Sequence, residues 1–124
     1  MNTKDPIQLL NTIAQAIYDK KGINILALDV RGISTLTDFV LIAEGNVDKH
    51  VTAIANAVID TLKKEGVSTV YTEGLSAGDW VVIDYLHIMV HLFMPGLRDK
   101  YMLEQLWREG SIVDLNISLA QSSH

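Results

Sequence analysis

Apolar side chains recur at helical spacing in two parts of the chain. The first part begins after Asp5 and Pro6, and its apolar positions fall three or four residues apart as far as Gly22. Aspartate followed by proline is a preferred helix start, because the carboxylate caps free N–H groups and proline fits the first turn. The second part follows Asn46, which we take as its capping residue, and ends at Gly66. The pattern predicts two amphipathic helices.

Short runs of apolar and β-branched residues separate these helices. INILALDV (23–30) and FVLIA (39–43) are continuous apolar runs typical of buried strands, and a third strand is predicted near 67–73. The stretch 80–93 contains two further runs with a break near 85–87. A closing helix is predicted over 97–109, and the last residues, ISLAQSSH (117–124), are expected to be loosely held.

The order of these elements predicts the fold class. It gives one α/β domain with a central mixed sheet of about five strands flanked by helices. We expect the domain to span 1–110, with its core in 23–109, and 111–124 to form a C-terminal tail. A chain of 124 residues with 48% hydrophobic and 20% charged residues can bury one hydrophobic core.

The stretch 80–93 carries the most mixed chemistry of the chain. Taken as a hairpin, it pairs Ile83 with Ile88 and Trp80 with His91, whether the loop is 85–86 or 84–87. One face is then apolar throughout. The opposite face and its turn carry Trp80, Val82, Asp84, His87, Met89 and His91. Aromatic residues and methionine are enriched in protein interfaces, so this face is a candidate docking surface; alternatively, another element covers it and Trp80 belongs to the core.

Two kinds of chemistry compete with docking. His87 and His91 are four residues apart, which suits a metal ion on a helix but spans about 13 Å on a strand, too far for one ion. Asp29, Asp38 and Asp84 are predicted near strand ends, where carboxylates can hold a divalent cation in a nucleotide-binding or nucleotidyl-transferring enzyme. No glycine-rich phosphate loop or nucleophile motif accompanies them, so we predict no catalytic residue, no metal ligand and no cofactor.

The net charge and the absence of cysteine limit the kinds of partner and of site that the chain can have. The net charge is −5, from 15 acidic and 10 basic residues, which disfavours direct nucleic-acid binding and suits a basic protein partner. There is no cysteine, so disulfides and thiolate metal sites are excluded. No apolar run reaches the length of a signal peptide or a membrane span, and the chain is predicted to be cytoplasmic.

Several short motifs stand in a fixed order over most of the chain. They are ALDV (27–30), Ser34 with Thr37-Asp38, Gly45 with Lys49-His50, Glu73-Gly74, Asp79-Trp80, Asp84, Val90-His91, and Arg98-Tyr101-Leu103-Glu104-Leu106-Trp107. The set resembles the Iojap family, the bacterial and organellar ribosomal silencing factors. The chain departs from the family pattern at three places. It has Leu86-His87 where the family usually has a Gly-Asp turn, Lys49 where it has arginine, and Met102 where it has an acidic residue.

The resemblance implies a nucleotidyltransferase-like topology without catalytic residues, and a translational repressor instead of an enzyme. Such a factor binds the large ribosomal subunit at its protein fourteen, and it sterically blocks joining with the small subunit when nutrients are short. A homodimer is also implied. Together with the residue pattern, the resemblance predicts a partner-binding surface made of Glu73, Asp79, Trp80, Asp84, Met89 and His91. His50 is expected outside it, near the start of the second helix in a structural or capping role.

Overall fold

The computed structural model describes residues 5–97 and 110–118, which form one mixed sheet and two helices. The helices are α1 (Pro6–Asp19) and α2 (Asp48–Lys64). The strands are β1 (Ile23–Asp29), β2 (Phe39–Glu44), β3 (Tyr71–Glu73), β4 (Trp80–Asp84), β5 (Ile88–Phe93) and β6 (Ser111–Ile112). The predicted α/β class is confirmed, with six strands instead of about five. The helix predicted over 97–109 lies outside the described residues except for Leu97. Neither helix in the described ranges is long and apolar enough to cross a membrane.

The strands are ordered β3-β4-β5-β2-β1-β6 across the sheet. The two central strands, β2 and β5, run parallel, with Phe39 opposite Ile88 and Glu44 opposite Phe93. Every other neighbouring pair is antiparallel. The antiparallel pairs β1–β2 and β4–β5 therefore meet at one parallel seam in the middle of the sheet.

Both faces of the sheet carry buried side chains. The helices pack on one face, and the main core consists of their apolar stripes together with alternate residues of the strands. A smaller cluster occupies the other face, with Val40, Ile42 and Phe93 fully buried and Trp80 packed against it. Trp80 therefore has a packed side as well as an exposed one.

The start of α1 follows the sequence prediction, and the start of α2 does not. Asp5 caps α1, because its Oδ1 accepts a hydrogen bond from the Ile7 N–H at 3.4 Å. The N-cap residue of α2 is Val47, which offers no side-chain acceptor, so the prediction that Asn46 caps this helix is wrong. The carboxylate of Asp48, in the first turn, lies at the helix N-terminus instead, where it interacts favourably with the positive end of the helix dipole.

His50 joins the beginning of α2 to the end of α1. Its Nδ1 accepts a hydrogen bond from the Asn46 N–H at 2.8 Å, so the proton is on Nε2, which donates to the Lys20 carbonyl at 2.8 Å. A Cβ at Gly45 would lie 3.2 Å from this Nδ1 and 3.0 Å from the Val51 nitrogen. Glycine thus leaves room for the histidine, and the predicted structural role of His50 is confirmed.

The β4–β5 hairpin has a different register from the predicted one. Trp80 pairs with Phe93 and Asp84 with Met89, so the pairing of Trp80 with His91 is wrong by two positions. The turn is Leu86-His87, closed by the hydrogen bond from the Tyr85 N–H to the Ile88 carbonyl at 2.9 Å. An even shift keeps every side chain on its face of the sheet, and the predicted division into an apolar and a mixed face is therefore confirmed.

Leu86 holds a left-handed backbone conformation in this turn, with φ 79°, which costs a residue with a side chain about 1 kcal/mol or more. Its side chain is 59% exposed, so truncation removes little packing. We expect Leu86→Gly to be more stable than Leu86→Ala by about 1 kcal/mol, the reverse of the usual order. Urea unfolding followed by circular dichroism measures the difference. A Leu86→Ala protein as stable as Leu86→Gly would show that the turn carries no strain.

Residues 111–118 are attached to the domain. β6 pairs with β1, and the Val113 N–H donates to the Ala27 carbonyl at 2.9 Å. Gln15 of α1 makes two hydrogen bonds with the backbone of Ser118, at 2.6 and 3.2 Å. Ile117 also packs against the main core, so the expectation that 117–124 are loosely held is wrong for Ile117 and Ser118, while the domain division at residue 110 stays a prediction.

Candidate docking surface

A shallow cavity of about 340 Å³ lies at the beginning of β4. It is lined by Glu73, Gly74, Asp79, Trp80 and Val82. The β3–β4 pairing places Glu73 opposite Val82, and Asp79 immediately precedes the strand. The structure thus brings together three of the six predicted partner-binding residues, one aromatic and two acidic.

The packed side of Trp80 rests on two other rings. Its ring centroid is 5.2 Å from that of Phe93 and 6.1 Å from that of His91. The rings of His91 and Phe93 are stacked, with 9° between their planes. The indole Nε1–H donates to Nδ1 of His91 at 3.2 Å. Trp80 therefore lies between an aromatic cluster and the open cavity.

His91 is 6% exposed, which corrects the expectation that it stands on the surface. Burial lowers the pKa of His91 to about 4, because the charged imidazolium is poorly solvated inside the protein. The ring is consequently neutral at neutral pH, with a lone pair on Nδ1 for the indole. His91 lies beneath Trp80 as a support.

Asp84 and Met89 lie toward the other end of the hairpin. They face each other across β4 and β5, and Asp84 is four residues from Trp80, about 13 Å along a strand. The Oδ1 of Asp84 accepts a hydrogen bond from the Leu86 N–H at 2.7 Å, which supports the turn. The structure does not bring these two residues into the Trp80 cavity.

Glu73 and Asp79, the two acidic residues beside Trp80, are exposed, and each carboxylate accepts a hydrogen bond from a residue close to it in sequence. Glu73 accepts a hydrogen bond from the Tyr71 hydroxyl at 3.0 Å, which raises the pKa of Tyr71. Asp79 accepts one from the backbone N–H of Trp80 at 2.9 Å. Neither carboxylate forms an ion pair with a lysine or arginine of residues 5–97 and 110–118. Both can therefore receive a cation from a partner.

Gly74 and Phe93 contribute to this surface although the sequence interpretation did not assign them to it. Gly74 has φ 87°, and a Cβ there would collide with the carbonyl oxygen of Trp80. The glycine therefore permits the close approach of the loop to β4, which the motif Glu73-Gly74 signals. Phe93 lies opposite Trp80 in the observed register of the hairpin and supports the indole, whereas the predicted register placed His91 opposite Trp80.

The aspartates of the rival enzyme hypothesis are engaged in separate local contacts. Asp29 forms an ion pair with Arg31 at 2.6 Å, and hydrogen bonds from Arg31 hold the pKa of Asp29 below its usual range. Asp38 pairs with Nδ1 of His87 at 3.0 Å, whereas Asp84 supports the hairpin turn. Within the described ranges, no three side chains of the metal-binding types stand close enough together to hold an ion.

Comparison with known proteins identifies the family. The family model described as "Ribosomal silencing factor during starvation" matches residues 3–124. The chain belongs to the RsfS family. The resemblance to ribosomal silencing factors predicted from the sequence is confirmed.

Relatives in the RsfS family match nearly the whole chain. The ribosomal silencing factor RsfS of Bacillus subtilis is 38% identical over 121 residues, which are 98% of this chain and 100% of that protein. The chloroplastic protein Iojap of Zea mays is 26% identical, and the match covers 84% of this chain and 45% of that protein. The curated bacterial relatives carry the name of a regulator, so a role in ribosome silencing follows for the family.

Solved structures share the RsfS fold found here. A crystal structure of a protein from Chromobacterium violaceum has a TM-score of 0.82 and 30% identity, covering 98% of this chain and 100% of that one. A crystal structure from Bacillus halodurans has a TM-score of 0.77 and 37% identity, covering 87% and 98%. The mixed sheet and its two helices are therefore the architecture of this family.

Proposed function

We propose that this protein is a cytoplasmic translational repressor that binds the large ribosomal subunit at its protein fourteen. By occupying that position it sterically blocks joining with the small subunit, under nutrient limitation. The observation that carries the proposal is the RsfS family match over residues 3–124. A steric blocker needs a surface matched to its partner, and it needs no catalytic group.

The cavity beside Trp80 is the surface that suits this role best. A partly exposed tryptophan on a rigid strand offers a large apolar contact at a small entropic cost. The exposed carboxylates of Glu73 and Asp79 stand next to it, and they complement lysine or arginine on a basic ribosomal protein. Tryptophan at the centre and charges at the rim are the usual arrangement of a protein interface.

Co-sedimentation with separated ribosomal subunits tests the proposal. We expect the purified protein to sediment with large subunits and not with small ones. Mixed with large subunits before small ones are added, it is expected to lower the fraction of joined ribosomes in a sucrose gradient. Binding to neither subunit, or equally to both, would contradict the proposal.

Reversing one charge at the rim of the cavity is expected to weaken this binding. Glu73→Lys places a cation where a basic partner surface approaches, and we expect the affinity to fall by about tenfold or more at low salt. Asp60→Lys is the matched control, because Asp60 is also exposed and lies on α2, away from the cavity. Equal effects of the two reversals would show that net charge, and not this surface, governs binding.

A further inference from the structure

Trp80 is held in place by contacts of its main chain and by contacts of its indole ring. Its backbone N–H donates to Asp79, and its carbonyl lies against Gly74, which has no side chain to displace it. The ring packs against Phe93, with 33° between the two ring planes, and it donates through Nε1–H to His91. Ring packing alone allows the indole to slide or turn over, whereas a directional hydrogen bond selects one orientation.

The acceptor of this hydrogen bond is a single nitrogen lone pair. His91 accepts at Nδ1, so its proton is on Nε2. An imidazolium has no lone pair and would donate at both nitrogens, against the indole N–H. Burial keeps the ring in the neutral form, which preserves the acceptor at neutral pH.

We infer that His91 is a positioning residue for partner binding: it holds the Trp80 indole in its docking orientation through Nδ1 without touching the partner. The inference rests on the proposed function, because it treats Trp80 as the anchor. An anchor already held in its bound orientation loses less conformational freedom on binding, and affinity increases accordingly. Because His91 is buried and acts only through Trp80, the indole is already held in this orientation in the free protein.

Two substitutions separate the acceptor from the volume of the ring. His91→Asn places an amide Oδ1 where Nδ1 now stands, so it retains an acceptor at the same distance from the main chain. His91→Leu has comparable apolar bulk but no acceptor. Thr37→Val is a matched control: it removes another buried side-chain hydrogen bond, the one from Thr37 Oγ1 to the Phe39 carbonyl, in the loop between β1 and β2.

The affinity of each protein for large ribosomal subunits is the first measurement. We expect His91→Leu to bind about tenfold more weakly, His91→Asn to stay within about threefold of the original protein, and Thr37→Val to be unchanged. The second measurement is the indole N–H resonance of Trp80 in a nitrogen-15 correlation spectrum, assigned with Trp80→Phe. It is expected to move upfield in His91→Leu and to stay near its position in His91→Asn.

Three results would overturn the inference. The first is full affinity of His91→Leu, because the orientation of Trp80 would then not matter for docking. The second is equal weakening by the leucine and asparagine variants, which would indicate a packing role without directional bonding. The third is an original protein that binds neither subunit, which defeats the proposed function as well. In that case the indole resonance still reports separately on the bond between Trp80 and His91.

Discussion

Trp80→Ala is expected to lower the affinity for the large ribosomal subunit by about 30-fold or more, roughly 2 kcal/mol, as truncation of a buried aromatic anchor does. The alanine removes the apolar contact at the centre of the cavity and leaves Glu73 and Asp79 beside an empty site. Quantitative co-sedimentation over a range of subunit concentrations measures the change.

The same substitution also removes packing from Phe93, so a loss of stability has to be separated from a loss of contact. Val40→Ala is a suitable control, because Val40 is fully buried in the same smaller cluster and does not line the cavity. It is expected to lower stability by about 2 kcal/mol and leave binding intact. If Val40→Ala weakens binding as much as Trp80→Ala, destabilisation explains both results and the anchor lies elsewhere.

The free energy of unfolding is expected to fall by about 3 kcal/mol as the pH drops from 6.5 to about 4, through His91 alone. Burial depresses the pKa of His91 in the folded protein, while the unfolded chain titrates at the ordinary value of 6.5. Above pH 6.5 both states are neutral at this residue and the stability is complete. As the pH falls below 6.5, His91 binds a proton in the unfolded chain but not in the folded protein. The free energy of unfolding therefore decreases until His91 also titrates in the folded protein.

Urea unfolding at half-unit pH intervals between 4 and 7, followed by tryptophan fluorescence, measures this loss. His91→Asn provides the reference, since it cannot titrate, and the other acidic and basic groups are common to both proteins. The difference between the two stability curves isolates His91. Parallel curves over this pH range would mean that the imidazole is not desolvated in the folded state.

The sequence predicted most of the fold because its local signals agree with the tertiary structure. Asp5 and Pro6 mark a helix start by chemistry that acts within one turn, and this start was correct. The hairpin register failed because Tyr85, Leu86 and His87 carry no turn preference, and Leu86 occupies a conformation that favours glycine. The pattern of alternating faces survived, because an even shift preserves it.

The remaining errors come from contacts that are distant along the chain. The residues after β6 are one example. Alternate positions there are apolar (Val113, Leu115 and Ile117), which is a weak sequence signal, and these side chains pack against the main core. The hydrogen bond between Ser118 and Gln15 of α1 holds the segment in that position. The burial of His91 depends on what lies over its face of the sheet, which alternation cannot report. The separation of Asp84 from Trp80 follows from the length of β4, although both occupy one face.

The parallel seam between β2 and β5 has a consequence for the order in which the chain folds. Each antiparallel pair beside the seam joins strands that are near neighbours in sequence, so each closes a short loop. The seam joins Phe39 to Ile88, which are 49 positions apart, and its closure has the larger entropic cost. We therefore expect two nascent hairpins to form early and their docking along the seam to limit the folding rate, with α2 restricting the search between them.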